Sequence, residues 1–384
     1  MIKVLLQVQN SKRWIGGLNY FINLCEAINS IKEREVEFVI FDDSKKLPAP
    51  LCNCESLVKN SDFFSIFPRI ILKIMRRYLK KSFSEYLKKK RIELVSHGNP
   101  LGKFSAIPSL GWIPDFQHKY LTHFFTDQEI KERDCTQSYM AENSKAMLFS
   151  SKTAFNDFQR FYPDSKCSAY VLNFVAVPYS NEIYETTDVL KQYDINELFF
   201  HIPNQLWAHK NHGIILEALK ILKEKGECPL VISTGHTEDY RNPEYFSGLK
   251  EKVSNAGLNE RFRFLGLIKF GDVAQLMRKS VCLINPSLFE GWSTTVEEGK
   301  SLGKRILLSD IPVHQEQAPE RGSFFNPADP EALAELMVKV IDEYNPAIEM
   351  ESMRRADLLL PHRLKQFGMD YQSIVKDIIA NNKK

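Results

Sequence analysis

The sequence predicts an α/β protein made of two domains, each built around a parallel sheet. Short apolar segments rich in β-branched residues alternate with amphipathic stretches along the chain, which is the pattern of strands connected through helices. The length of 384 residues fits two domains of about 150 residues each. Residues 173–194 contain Pro178, Ser180 and Asn181 and interrupt the alternation, so we predict the linker there.

The individual elements follow from the same alternation. In the first half we predict strands at 3–8, 37–41, 92–96, 109–113, 146–150 and 169–172, with helices that include 18–31 and 152–162. In the second half we predict strands at 198–202, 230–234, 261–265, 281–284 and 306–309, with helices at 211–224, 245–255 and 272–279. The predicted domains cover 1–180 and 181–360, and a C-terminal helix that is amphipathic over 367–380 follows over 361–384.

Bulk composition limits the classes of function. The chain is 43% hydrophobic and 26% charged, as is ordinary for a globular protein. Its net charge of +3 is too small to indicate a nucleic-acid partner. The seven cysteines are scattered, which favours reduced thiols and a cytoplasmic location. The apolar stretch at the N-terminus is too short for the core of a signal peptide, and no apolar run is long enough to span a membrane.

One segment of the second half places two carboxylates around a loop-to-helix junction. The chain leaves a buried strand, turns at Gly291, and starts a helix that Ser293 or Thr294 can cap. Glu290 precedes this helix and Glu298 lies inside it. The first turn of a helix leaves backbone N–H groups free for an anion, whereas a carboxylate one turn further in suits the hydroxyls of a sugar. A diphosphate at the helix start, with a ribose on one side and a hexose on the other, satisfies all of these groups.

This segment resembles the motif of two glutamates, eight positions apart, of family 4 glycosyltransferases, including those that build bacterial surface polysaccharides. These are retaining enzymes of the GT-B fold, in which two Rossmann-like domains face a central cleft. The resemblance implies that residues 1–180 form the acceptor-side domain, that residues 181–360 form the nucleotide-sugar-binding domain, and that the C-terminal helix over 361–384 packs back on the first domain. The resemblance implies that Glu290 contacts hydroxyls of the donor sugar and acts as a catalytic residue, and that Glu298 hydrogen-bonds the nucleotide ribose. It also implies donor binding by the residues around the helix start, which are Gly291, Trp292, Ser293, Thr294 and Thr295.

A cation for the diphosphate is expected in the loop after the strand at 198–202. In the resembled family this loop carries an arginine and a lysine five residues apart, and Lys210 matches the lysine. Gln205 stands where the arginine is expected, so the second cation is missing unless His209, His212 or a basic group of the first domain replaces it. One ammonium in contact with a phosphate is worth about 4 kcal/mol at an effective dielectric near 20. We therefore predict Lys210 as a catalytic residue and Gln205 as a donor-binding residue.

Two features of the first domain also match the resembled family. Gly16 and Gly17 precede a helix, where glycines let a backbone approach a phosphate, and the resemblance implies that they face the donor. His118 follows a predicted strand in a loop similar to the family's histidine loop, so we predict that it reaches the donor sugar as a catalytic residue. His97 is the alternative histidine, and Asp115 is expected to orient His118 or to contact the acceptor.

The basic segment from Phe63 to Arg91 is a separate feature. Lys and Arg dominate its second part, Glu85 is the single acid there, and apolar residues recur at helical spacing. One interpretation is a surface for anionic lipid, on which each Lys or Arg is worth about 1 kcal/mol. The other is a helix with its apolar side in the core and its charged side in solvent. No nucleic-acid-binding motif accompanies the charge, so nucleic acid is not expected.

The remaining expectations concern the leaving group and the base. The resemblance implies that the nucleobase lies near the backbone of Leu267, just after the predicted strand at 261–265. The sequence has no Asp-x-Asp pair, so no metal or other cofactor is expected, and Lys210 and the helix start must meet the charge of the leaving diphosphate.

The leading interpretation is a cytoplasmic, membrane-peripheral transferase in polysaccharide or lipopolysaccharide biosynthesis. It would move a hexose from a UDP- or GDP-sugar donor to a glycan or lipid-linked acceptor with retention of configuration. Two alternatives remain, a nucleotide-sugar epimerase of the GT-B fold and a non-catalytic GT-B partner subunit. Gln205 is the feature that favours the non-catalytic subunit.

Overall fold

The computed structural model describes residues 1–8, 15–42, 55–58, 83–102, 105–177 and 188–382. The chain divides into two compact units. Unit 1 comprises Met1–Tyr120, Thr126–Val175 and Pro361–Lys384. Unit 2 comprises Leu121–Phe125 and Ala176–Leu360. The chain thus passes from one unit to the other between Val175 and Ala176, a few residues before the boundary predicted at 180/181.

Unit 1 contains a parallel sheet with helices between its strands. In the described residues its strands are ordered β3-β2-β1-β4-β5-β6-β7, and each pairs in parallel with its neighbours. The strands are β1 (Ile2–Gln7), β2 (Val36–Asp42), β3 (Glu55–Val58), β4 (Ile92–Ser96), β5 (Ser109–Ile113), β6 (Ala146–Phe149) and β7 (Ser168–Val171). The helices are α1 (Ile15–Asn29), α2 (83–89), α3 (Gln117–Tyr120), α4 (Asp127–Asn143) and α5 (Lys152–Phe161).

Unit 2 repeats this architecture with the strand order β10-β9-β8-β11-β12-β13, again all parallel. Its strands are β8 (Phe199–Ile202), β9 (Leu230–Thr234), β10 (Phe262–Gly266), β11 (Cys282–Asn285), β12 (Ile306–Ser309) and β13 (Gly322–Phe325). Its helices are α6 (Val189–Gln192), α7 (Gly213–Glu224), α8 (Tyr245–Asn255), α9 (Phe270–Lys279), α10 (Thr294–Ser301), α11 (Pro312–Gln317) and α12 (Pro330–Asp342). Helix α13 (Pro346–Asn382) begins in unit 2 and ends in unit 1. Short 3₁₀ turns lie at Thr122–Phe124 and Ala208–Lys210.

The α/β class with parallel sheets is confirmed. Each predicted strand is present to within a residue or two, because strands covered on both faces are continuous apolar segments. The short strands β3 and β13 were not predicted. The first helix was predicted at 18–31 but begins at Ile15, so Gly16 and Gly17 lie in its first turn and not in a loop before it.

The end of α13 belongs to the core of unit 1. Tyr371 is fully buried and its hydroxyl donates to Ser96 Oγ at 2.9 Å. Lys376 pairs with Glu35 at the surface of the same unit. Part of the last helix is therefore a structural element of the N-terminal sheet unit.

Residues 63–82 of the basic segment lie outside the described residues. In its described end, Phe83 and Leu87 pack into the core of unit 1 beside β1 and β4, whereas residues 88–91 are exposed. This end of the segment is a helix with an apolar side in the core and a charged side in solvent. None of the helices in the described part of the chain combines the length and the apolar character that a bilayer span requires.

Candidate functional site

The candidate site lies at the carboxyl ends of the strands of unit 2. Because the strands are parallel, the loops that follow β8, β9, β10 and β11 emerge at the same edge of the sheet. Ligands of open α/β sheets bind at this edge, and the predicted donor-binding residues of unit 2 lie in these loops or in helix α10, which follows the last of them.

Lys210 and Glu290 form an ion pair at this edge. Lys210 Nζ donates to Glu290 Oε1 at 2.6 Å, and the two side chains are only 16% and 11% exposed. Burial alone would raise the pKa of Glu290, but the ammonium of Lys210 and a hydrogen bond from Ser287 lower it below its ordinary value. The structure thus brings together the ammonium predicted for the diphosphate and the carboxylate predicted for the donor sugar, with both groups charged.

The two loops that carry this pair are joined through their backbones. Lys210 ends the 3₁₀ turn Ala208–Lys210, which Asn211 terminates in the left-handed conformation with φ 55°. Leu288 N donates to His209 O at 2.8 Å, which fixes the loop after β11 against this turn. The contact between Lys210 and Glu290 is therefore set by the backbone as well as by charge.

A network of buried polar side chains holds the carboxylate of Glu290. Ser287 Oγ lies 2.7 Å from both Glu290 Oε1 and Asn285 Oδ1. Asn204 Nδ2, from the end of β8, donates to the same oxygen of Asn285 at 3.1 Å. Burial lowers the pKa of His314, whose Nδ1 donates to Ser309 O at 2.9 Å, so the ring is neutral and structural. These contacts hold the loop of Glu290 in one conformation.

At the helix start predicted for an anion, one backbone N–H group is capped by a side chain and two others are open. Ser293 is the N-cap of α10, and its Oγ accepts from Val296 N at 3.4 Å. Gln317 accepts from Ser293 N and donates to Ser293 O, each at 3.0 Å. Among the described residues none accepts a hydrogen bond from the backbone N–H of Thr294 or of Thr295. These two N–H groups, at the positive end of the helix dipole, are available to a phosphate.

Glu298 lies one turn inside α10 and is the most unusual acid of the site. It is 9% exposed, and among the described residues no side chain hydrogen-bonds to its carboxylate. Burial raises the pKa of Glu298 to about 8. Buried polar groups in proteins nearly always have a partner, so an isolated carboxyl in this position points to a ligand that supplies one.

Gln205 has no compensating cation among the two nearby histidines. Burial, together with Lys210, Arg241 and His212, lowers the pKa of His209 well below its ordinary value. Burial and Lys210 lower the pKa of His212 to about 3. Both rings are therefore neutral near pH 7 in the free protein, so neither histidine supplies a second positive charge there.

The loop predicted near the nucleobase, at Leu267, adjoins the loop after β9. Gly235 N donates to Gly266 O at 2.9 Å, which places the loop after β9 beside the loop after β10. Leu267 follows directly and is 66% exposed, so its backbone and side chain are accessible at this edge. Gly291 and Trp292, between Glu290 and the helix, are half-buried.

The candidates of the first domain lie in unit 1. His118, on α3, is fully buried, and its Nε2 hydrogen-bonds to Asp134 Oδ1 at 2.9 Å. Asp134 thus orients the ring, whereas Asp115 Oδ1 accepts from Gln117 N and caps the helix start. His97 is buried among aromatic rings, and burial lowers its pKa to about 3, so its role is structural.

The chain was compared with known proteins. Residues 190–356 match the family model described as Glycosyl transferases group 1. The second unit is a group 1 glycosyl transferase domain. The resemblance to family 4 glycosyltransferases, drawn from Glu290 and Glu298, is thereby confirmed.

The curated and solved relatives extend this result. The O-antigen chain mannosyltransferase RfbU of Salmonella typhimurium is 26% identical over 152 residues, which are 40% of this chain and 40% of RfbU. A glycosyltransferase structure from Rickettsia africae covers 99% of both chains with a TM-score of 0.70 at 16% identity. HepE of Anabaena, solved with UDP-glucose, covers 100% of this chain and 98% of its own with a TM-score of 0.59 at 14% identity. These structural likenesses confirm the predicted GT-B fold.

Several residues of the group 1 domain's site were not predicted from the sequence. Asn204 and Asn285 each stand at the end of a buried apolar strand, and this position could have identified them as site residues. Ser287 lies inside the motif that was recognised, but nothing in its spacing shows that it bonds to Glu290. Gln317 is the last residue of helix α11 and Arg241 lies in the loop after β9, and only the fold brings them here.

Proposed function

We propose that the protein transfers a hexose from a nucleoside diphosphate sugar to a hydroxyl of a glycan or lipid-linked acceptor, with retention of configuration. The observation that supports this most is the isolated, buried carboxyl of Glu298 beside the open N–H groups of Thr294 and Thr295. The two hydroxyls of a ribose can hydrogen-bond to the carboxyl of Glu298, and a diphosphate can accept from the N–H groups of Thr294 and Thr295.

In this proposal the nucleotide contacts helix α10 at two places, its first turn and Glu298. The β-phosphate lies at the helix start, where the N–H groups and the ammonium of Lys210 meet its charge. The ribose hydroxyls donate to Glu298, which has no other partner in the described part of the chain. The base extends toward the loops at Gly235 and Leu267, which adjoin each other.

The reaction follows from the charges that this arrangement holds. The bond between the anomeric carbon and the diphosphate oxygen breaks as the acceptor oxygen bonds to that carbon, and the acceptor's proton passes to the departing diphosphate. Lys210 and the helix start stabilise the negative charge that develops on the leaving group. Glu290 holds the sugar hydroxyls so that the acceptor arrives on the face from which the diphosphate leaves, which retains the configuration.

The relatives support this class of donor and acceptor. The name of RfbU describes transfer of mannose to an O-antigen chain, and HepE was solved with UDP-glucose. A further structural neighbour, WaaB, is named as a lipopolysaccharide outer core galactosyltransferase. We therefore propose a UDP- or GDP-sugar as the donor and a surface glycan or its lipid-linked precursor as the acceptor.

A donor screen followed by a transfer assay tests the proposal. Thermal unfolding is recorded with UDP, with GDP and with their sugars, since a ligand at a hundredfold excess over its Kd stabilises the fold by about 2.7 kcal/mol. The stabilising sugar nucleotide is then incubated with and without lipid-linked and glycan acceptors. The proposal requires release of the nucleoside diphosphate with sugar appearing on an acceptor. Conversion of the donor without acceptor would support an epimerase, and no stabilisation by any nucleotide would support a non-catalytic subunit; either result would overturn the proposal.

A further inference from the structure

Arg241 is a buried arginine that the proposed reaction does not use. It lies in the loop after β9, and its side chain is only 4% exposed. Its guanidinium lies 5.0 Å from the centre of the Trp207 ring and 5.7 Å from that of Tyr240. An arginine is rarely buried without a specific set of partners, so its contacts indicate its role.

Two polar partners of Arg241, His209 and Asp239, connect it to the turn that carries Lys210. Arg241 Nη2 lies 3.0 Å from His209 Nδ1. Because a guanidinium only donates, Nδ1 must accept, which agrees with the neutral state of this ring. On its other side Arg241 pairs with Asp239, whose Oδ2 accepts from Ala208 N at 3.1 Å. Arg241 and Asp239 together thus hold two consecutive residues of the 3₁₀ turn.

The same loop after β9 holds the residues that precede the turn. Leu206 N donates to His236 O at 2.9 Å, and Trp207 Nε1 donates to Glu238 O at 3.0 Å. On the opposite side, the carbonyl of His209 accepts from Leu288 N in the loop of Glu290. The ring of His209 is therefore held by Arg241, and its backbone is held by the loop of Glu290.

We propose that Arg241 is a positioning residue for Lys210. It fixes the 3₁₀ turn through His209 and Asp239, so that the ammonium of Lys210 points at the diphosphate. This role matters more here because Gln205 supplies no second cation in the same loop. The inference rests on the proposed function, since it assigns Lys210 to the diphosphate.

A double-mutant cycle tests this role. Arg241→Met and Lys210→Met are made singly and together, and the Kd of the stabilising nucleoside diphosphate and kcat/KM for its sugar are measured. Since misplacement of a binding group by about 1 Å can cost a hundredfold in rate, we expect Arg241→Met to lower kcat/KM by about 10- to 100-fold. In the Lys210→Met background the same change should cost less than about threefold, because the group it positions is gone.

Two further variants separate positioning from folding. Arg261→Met removes a half-buried arginine of the same unit, paired with Glu197 at 2.8 Å, and should leave both constants unchanged. If Arg241→Met does not fold, His209→Ala takes its place in the cycle, since it removes the acceptor and leaves the pair of Arg241 with Asp239 intact.

The outcomes are distinct. Equal losses from Arg241→Met in both backgrounds, or a lower melting temperature with unchanged nucleotide affinity, would show a merely structural role and overturn the inference while the proposed function stands. Wild-type protein that binds no nucleoside diphosphate would overturn the proposed function and this inference with it.

Discussion

In the free protein Lys210 and Glu290 bind each other, although in the proposal Lys210 binds the diphosphate of the donor and Glu290 binds its sugar. A diphosphate must compete with Glu290 for the ammonium, and the sugar hydroxyls must compete with the ammonium for the carboxylate. The pair therefore keeps both charges in place in the free protein and weakens the binding of either half of the donor alone.

We expect Glu290→Gln to separate binding from turnover. The neutral amide releases Lys210, so the affinity for the nucleoside diphosphate without its sugar should rise by about threefold to tenfold, which is of the order of 1 kcal/mol. Transfer of the sugar should fall by at least about 100-fold, because a charged contact to the reacting sugar is lost. Calorimetry and initial rates measure the two effects, with the exposed Glu320→Gln as the control. Weaker nucleotide binding in Glu290→Gln would contradict this description of the pair.

The raised pKa of Glu298 makes the stability of the free protein depend on pH. The folded carboxyl keeps its proton up to about pH 8, whereas the unfolded chain releases it near the ordinary value of 4.5. The contribution of Glu298 to the free energy of unfolding is thus fully present below pH 4.5 and is lost as the pH rises toward 8. The slope is at most about 1.4 kcal/mol for each pH unit.

Urea unfolding of the wild type and of Glu298→Gln at pH 6, 7 and 8 measures this effect. The variant cannot ionise, so its advantage over the wild type should grow across the series. The same variant should bind nucleoside diphosphate more weakly, because an amide accepts from the ribose hydroxyls less strongly than a carboxylate. Parallel pH curves for the two proteins would show that Glu298 is not an isolated buried carboxyl.

The sequence was sufficient for the residues that touch the donor in the proposal but not for those that hold them. Glu290, Glu298 and Lys210 follow strand ends at recognisable spacing, and the fold brings the first and third into contact. Asn285 and Arg241 act through partners that are distant in sequence, and no local pattern encodes those pairings. Neutrality of His209 could not be predicted either, because it depends on burial.

Among the elements, the strands were the best predicted because several strands in each unit, such as β5 and β8, are buried on both faces. Strand β13, Gly-Ser-Phe-Phe, has half-buried residues at the edge of the sheet and lacks the apolar run that reveals a central strand. Helix α10 was placed correctly because Ser293 is a strong N-cap, whereas the start of α1 was misplaced because Gly16 and Gly17 disfavour a helix interior.

The loop after β9 depends on a glycine. Gly235 has φ +147°, and a Cβ there would overlap the carbonyl oxygen of Asn204 in the loop after β8. We expect Gly235→Ala to lower the free energy of unfolding by about 1–3 kcal/mol and to weaken nucleotide binding, because the turn of Lys210 must shift.

The matched control is Gly248→Ala in α8, where a Cβ meets nothing within 4 Å. There the substitution should stabilise by about 0.5–1 kcal/mol, since alanine is the better helix former. Urea unfolding and calorimetry report both variants. Equal stability of the two would show that the contact between these loops is not tight.

In the molecule as a whole, the family match covers the group 1 domain. The acceptor-side role of unit 1 remains a prediction, as does the cytoplasmic location.

The membrane contact is predicted from the charge of the basic segment. Reversal of Arg76, Arg77, Lys80 and Lys81 to Glu should reduce sedimentation with vesicles of anionic lipid, each residue contributing about 1 kcal/mol, with vesicles of neutral lipid as the control. Unchanged binding to anionic vesicles would rule out this surface.

The most direct measurement is a crystal structure with the nucleoside diphosphate that stabilises the protein. We predict a ribose hydroxyl within about 3.2 Å of the Glu298 carboxylate, and phosphate oxygens at similar distances from Lys210 Nζ and the N–H groups of Thr294 and Thr295. A nucleotide bound elsewhere, or at this edge with Glu298 still lacking a partner, would contradict the proposed donor site.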